Sequence, residues 1–142
     1  MDEYTSRVRV WELLCPGIPE EVTRARRWTR DILTDCPRAD DAALIVTELG
    51  ANAVTHTTSP DFRVTIHRTD HGVTLTVTDR GTSTSGPHLT QPAPDDTHGR
   101  GLAIVAMLTT ELAVTRHAHG HTVTAHLPEH QPQRVNNKAT AC

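Results

Sequence analysis

Apolar and polar positions along the chain follow two periods, and the switches between them mark the elements. Arg7 to Leu14 is rich in Val, Leu and Trp and predicts a strand, ended by Cys15-Pro16-Gly17. Pro19-Glu20-Glu21 has the acidic first turn of a helix. Val22, Ala25, Trp28, Ile32 and Leu33 then recur at helical spacing, with Arg26, Arg27 and Arg30 opposite. That basic side fits an acidic partner or, more simply, solvent. A second helix begins near Asp40, its stripe being Ala42, Ile45, Leu49, Ala53 and His56. It runs out at Thr57-Thr58-Ser59-Pro60.

From there the period drops to two. Phe62, Val64 and Ile66 alternate with Arg63, Thr65 and His67, and Val73, Leu75 and Val77 alternate with threonines. Asp70-His71-Gly72 between them predicts a hairpin turn. Residues 80–98 hold glycines and prolines among Thr, Ser and Asp with no period, which predicts a long loop of the mobile, functional kind. Leu102 to Leu108 is apolar nearly all round and predicts a buried helix opened by Gly99-Arg100-Gly101. Leu112 to His117 and His121 to Leu127 predict a last hairpin about His119-Gly120. The polar stretch 128–142 predicts a disordered tail. Strands with one apolar and one Thr-rich face predict a two-layer α/β (α+β) sandwich. Its five-stranded sheet is expected to be mixed, mostly antiparallel, with helices on one face and the Thr-rich face solvated. Residues 1–127 then form one domain.

Composition narrows the function. The 142 residues carry 14 basic and 17 acidic groups, a net charge of −3, so there is no basic excess to neutralise phosphates and no direct nucleic acid partner is expected. Aromatics are 3% of the chain, so Val, Leu, Ile and Ala must build the core. No apolar run approaches the ~20 residues of a membrane span. The start Met1-Asp2-Glu3-Tyr4 lacks the features of a signal peptide. Cys15, Cys36 and Cys142 have no metal-type spacing and fit free thiols, so a cytoplasmic protein is expected.

Three constellations can carry chemistry. Glu48 and Asn52 stand one helical turn apart, at the border of the apolar stripe. A carboxylate there can act as a base and an amide oxygen can bind a hard cation. On spacing alone, a boundary pair without a chemical role is the simpler reading. Asp79 follows Val77 in strand alternation and therefore points to the core side, where a carboxylate needs donors. The exocyclic amine of a base or a structural partner would each serve, and Gly81 would let a planar ligand approach. Gly99-Arg100-Gly101-Leu102 opens a helix, where free N–H groups and the positive helix end suit phosphate oxygens. A simple loop-to-helix joint is the alternative.

Taken together and in this order, the three resemble the GHKL ATPase superfamily (Bergerat fold), and within it the bacterial anti-sigma-factor serine/threonine kinases. Glu48-Leu49-Gly50-Ala51-Asn52 with Ala53-Val54-Thr55-His56 resembles the N box. Val77-Thr78-Asp79-Arg80-Gly81 resembles the first glycine box, and His98-Gly99-Arg100-Gly101-Leu102-Ala103-Ile104-Val105 the second. The resemblance covers roughly residues 5–127. It implies ATP and Mg2+ as cofactors, Glu48 as general base and Asn52 as magnesium ligand. It also implies Asp79 as reader of the adenine amine, Gly81 beside the base, and Gly99, Arg100, Gly101 and Leu102 in the phosphate-binding segment.

The implied partners are an anti-sigma-factor antagonist protein, phosphorylated on Ser or Thr, and a sigma factor; a homodimer is implied because members are often dimers. Ser83 stands where the first glycine box usually has its second glycine. The alternative is therefore a non-catalytic partner-binding module for which nucleotide is only a conformational ligand or is not bound. Many relatives present a Thr from the last strand to the adenine. Here alternation puts His121, not Thr122, on the face of Val123. The alternating His117, His119 and His121 read as a solvated sheet edge, because His119-Gly120 forms the turn.

Overall fold

The computed structural model of the chain describes residues 7–81 and 97–129, and within 97–102 the backbone alone. In chain order the elements are β1 (Arg9–Pro16), α1 (Pro19–Ile32), α2 (Ala39–His56), β2 (Asp61–Thr69), β3 (Gly72–Asp79), α3 (Thr97–Leu108), β4 (Glu111–His117) and β5 (Gly120–Pro128). The expected loop at 80–98 and the expected tail fall for the most part outside the described residues, as does Ser83.

Among the described residues the strands form one sheet in the order β1-β2-β3-β5-β4. Every pairing is antiparallel, so the expectation of a mixed sheet is corrected. Tight turns account for β2–β3 and β4–β5, where Gly72 and Gly120 open the second strand of their hairpins at φ +148° and +156°; the β1–β2 and β3–β5 pairings join strands distant in the chain. Strand β1 also runs further than expected, because Cys15 and Pro16 still pair with Phe62 and Asp61. Proline is tolerated there, at the last residue of an edge strand.

Register sorts the side chains into ranks. Leu13, Val64, Val77, Val123 and Val114 form one inner rank; Trp11, Ile66, Leu75, Ala125 and Leu112 form the next. Their central members are buried under the helices. Each fully buried aliphatic side chain contributes roughly 1.5–3 kcal/mol. The opposite face carries Thr65, Thr76 and Thr124 side by side. These threonines are half-buried by their neighbours, with Thr78 and Thr122 hydroxyls 3.3 Å apart.

Pro19 starts α1, Glu20 and Glu21 occupy its first turn and Arg30 its last, matching the helix dipole at both ends. Thr29 is buried and donates its hydroxyl to Ala25 O at 2.8 Å, so the core accepts it. Helix α2 packs across β2, β3 and β5 through Ala42, Ile45, Val46, Leu49 and Ala53. Arg38, 5% exposed, closes the layers just before α2: it pairs with Asp41 at 2.9 Å and donates to Pro128 O at 2.8 Å and Leu108 O at 3.4 Å.

Helix α3 departs from expectation in two ways. It begins at Thr97, so Gly99-Arg100-Gly101 lies inside the helix. It is also not buried all round: Val105 is fully covered, while Ile104 and Met107 are 46% and 68% exposed. The helix packs on α2 alone among the helices, so one side is covered. None of the described helices is long and apolar enough to cross a membrane.

Candidate functional site

The inner ranks change character at one end of the sheet. After the Val and Leu ranks comes Cys15, Phe62, Asp79 and His121, paired in register across four strands. Asp79 and His121 are each 5% exposed. Alternation thus places both on the inner face, as for Val77 and Val123; the reading of His117, His119 and His121 as one solvated edge is corrected for His121, because it lies on that inner face and is buried, while His117 and His119 are exposed.

A carboxylate in that position needs donors. Asp79 Oδ1 has two: the Gly81 N–H at 3.1 Å and His121 Nδ1 at 3.2 Å. A carboxylate oxygen beside a backbone donor only accepts, so Nδ1 of His121 carries the proton. Among the described residues no donor reaches Oδ2. One oxygen is therefore committed to the protein, while the other has no donor among the described residues.

Beyond Asp79 the chain is pinned. The Arg80 guanidinium grips the Asp61 carboxylate through Nε at 3.0 Å and Nη2 at 2.7 Å. That contact holds the Asp61 carboxyl below its usual range. The Arg80 N–H donates to Ser59 Oγ at 2.9 Å. A Cβ on Gly81 would stand 2.3 Å from Ser59 N, so glycine is required by the close approach of the α2–β2 link. The space expected to admit a planar ligand on that side is filled by the protein itself.

Glu48 and Asn52 lie on the C-terminal half of α2. Asn52 is 4% exposed and Glu48 is half-buried, so the pair does border the core, with the amide on the inner side. Neither side chain has a hydrogen-bond or ion-pair partner among the described residues. Gly50 between them fixes their place: a Cβ there would touch the Phe62 ring at 3.4 Å. Phe62 is the cross-strand partner of Asp79, so this turn of α2 sits over the same end of the sheet.

The Gly99 to Leu102 segment forms the start of α3. Leu108 at the far end is tied by Arg38 to the beginning of α2. Helix α3 packs on α2, the helix that carries Glu48 and Asn52. Gly99 lies in the first turn of α3, whose N–H groups lack intrahelical acceptors. The side chains of Arg100 and Leu102 fall outside the described residues.

The fold thus brings Asp79, Gly81 and the turn of α2 that carries Glu48 and Asn52 to one end of the sandwich, with α3 packed on α2. It adds His121 as a direct partner of Asp79. Periodicity could place His121 on the inner face, but its pairing with Asp79 depends on the β3–β5 register, which is nonlocal. The other histidines do not join it: His117 is exposed with Nε2 2.7 Å from Thr122 Oγ1, and His126 Nδ1 lies 3.0 Å from Thr74 Oγ1 on the outer face. Among the described residues, no three His, Cys, Asp or Glu side chains group to hold a metal ion.

A buried carboxylate, an amide without a partner among the described residues on the helix above that end of the sheet, and a glycine-bearing helix start are parts a nucleotide site needs. A comparison with curated proteins finds no match. A family model described as "Histidine kinase-like ATPase domain" matches residues 15–127, which spans every element from the end of β1 into β5. With that match on top of the two-layer fold and the site at its open end, the chain belongs to the histidine kinase-like ATPase domain family, whose domains bind ATP.

Proposed function

We propose that the chain is a regulatory kinase of the anti-sigma-factor type, transferring the γ-phosphoryl group of ATP to a Ser or Thr of an antagonist protein and also holding a sigma factor. Those two proteins, and a second copy of the chain, are its proposed partners, and the cytoplasm is where they would meet. The observation that carries the nucleotide part is Oδ2 of buried Asp79, without a donor among the described residues and an acceptor suited to the adenine 6-amino group.

Each neighbouring residue then has a task. The first turn of α3, with Gly99, would offer backbone N–H groups to phosphate oxygens. The Asn52 amide suits Mg2+: a cation that keeps most of its ligands from water and phosphate needs one or two oxygens from protein. When bound, the ion would neutralise phosphate charge. Glu48, half-buried and free of a cationic partner among the described residues, would accept the proton of the attacking hydroxyl. That hydroxyl oxygen bonds to the γ-phosphorus while the bond to the ADP oxygen breaks, and ADP leaves.

Titration calorimetry with ATP, with and without Mg2+, tests the site in wild type and Asp79→Asn. Saturable binding that needs Mg2+ and is lost in Asp79→Asn is expected. Glu48→Gln should then bind ATP and fail to phosphorylate the antagonist; retained transfer would remove Glu48 as the base. The second reading, a binding module without turnover, rests on Ser83 in place of the second glycine. It predicts partner capture by wild type with no phosphoprotein formed.

A further inference from the structure

We infer that His121 is a positioning residue for base selection: by holding Asp79 Oδ1, it fixes the carboxylate so that Oδ2 meets a purine 6-amino group. The inference rests on the reading of Asp79 as the adenine acceptor. What carries it is the distribution of donors about one carboxylate. Both protein donors, Gly81 N–H at 3.1 Å and His121 Nδ1 at 3.2 Å, fall on the same oxygen.

A single donor would leave the carboxylate free to turn about its Cβ–Cγ bond and exchange its oxygens. Two donors from different directions, one two residues along the chain and one from the neighbouring strand, suppress that rotation. His121 is itself immobilised: it is 5% exposed and stands in register with Asp79, directly after Gly120, whose α-carbon presses on the Asp79 backbone. A ring that is 5% exposed is held by the packing around it. The second oxygen of buried Asp79, Oδ2, is thus presented in one orientation. It favours a base with an amine at that point and disfavours one with a hydrogen or a carbonyl oxygen there.

The role depends on the proton at Nδ1 and on no other part of the ring. Asparagine places its amide nitrogen where Nδ1 stands, attached to Cγ. Glutamine places its nitrogen one bond further, where Nε2 stands. Phenylalanine keeps the ring and has no donor.

The test measures Mg2+-supported binding of ATP and of the purine triphosphate that lacks the 6-amino group. Both are titrated into the full chain as wild type, His121→Asn, His121→Gln and His121→Phe. Wild type should prefer ATP. The preference should persist in His121→Asn and fall about tenfold in His121→Gln and His121→Phe, with affinity for the analogue bearing hydrogen in place of the 6-amino group little changed. A merely structural role would weaken both ligands together and would not separate Asn from Gln.

Should His121→Phe fail to fold, the Asn and Gln variants alone decide. An equal ATP preference in wild type, Asn and Gln overturns the role of His121 and leaves the adenine reading of Asp79 intact. Failure of wild type to bind ATP at all overturns that reading and the inference with it.

Discussion

Gly120 lies with its α-carbon against the backbone of Asp79: a Cβ built on it would fall 1.9 Å from Asp79 O and 2.8 Å from Asp79 C. Its φ is +156°, a conformation side chains rarely adopt. The last hairpin therefore begins by closing onto the residue at the head of the candidate site, and His121 follows at once. Gly120→Ala is expected to lose at least about 2 kcal/mol of stability, because strain and a backbone clash act together. Urea unfolding reads this as a lowered midpoint. An unchanged midpoint would mean the two backbones separate freely, and the pinned geometry of Asp79 would have to be abandoned.

Arg38 makes the second prediction. Its guanidinium is 5% exposed and joins Asp41, Pro128 O and Leu108 O, one from each of α2, β5 and α3. Arg38→Met keeps the aliphatic bulk but strands two carbonyls and a carboxylate. A loss of about 2–4 kcal/mol follows from breaking a buried charged network on one side. Amide exchange should accelerate in α3 more than in α2, because α3 depends on Leu108 for that tie. Uniform acceleration through all elements would argue against a local clasp.

Most of the architecture was legible in local pattern. Period two gave the inner residues of β2, β3 and β5, and period 3.6 gave the buried stripe of α2. The fully antiparallel sheet was less legible, because strand direction depends on pairing across the whole chain. Helix α3 was misjudged for a related reason. Seven apolar residues in a row look buried from every side, yet only a neighbour can bury them, and Met107 has none among the described residues. In the site, Asp79 and Asn52 were legible because a polar residue on an apolar face is conspicuous. The pairing of Asp79 with His121 was not, since it arises from register between strands separated by α3 and β4.

Acid should expose the Arg80–Asp61 grip. The Asp61 carboxyl lies below its usual range because Arg80 donates to it. A depressed folded-state value means stability that is present above the unfolded value of about 4 and lost as pH falls through the lower, folded one. Wild type should therefore exceed Asp61→Asn in melting temperature at neutral pH, modestly, since the arginine is 63% exposed and solvent screens the pair. The gap should close below about pH 4 and shrink in high salt. A gap that is constant across the acid range would show that Asp61 acts through shape and not through charge.

Asn52 sets stability against ligand binding. Its side chain is 4% exposed and has no hydrogen-bond partner among the described residues, so the free protein holds an amide that keeps only slight solvent contact and gains no bond inside. A fully desolvated amide would cost about 1–3 kcal/mol relative to an apolar group of similar shape, and the slight solvent contact left to Asn52 makes its cost smaller. Asn52→Leu is nearly isosteric, and it is expected to raise the melting temperature of the ligand-free protein. The same change removes the only oxygen the site reading assigns to Mg2+. Added Mg–ATP should then raise the melting temperature of wild type and leave that of Asn52→Leu almost where it was. The two shifts have opposite senses, so they separate cleanly in one thermal series. A variant both destabilised and still stabilised by Mg–ATP would show that Asn52 serves packing, and the cation would have to be sought elsewhere.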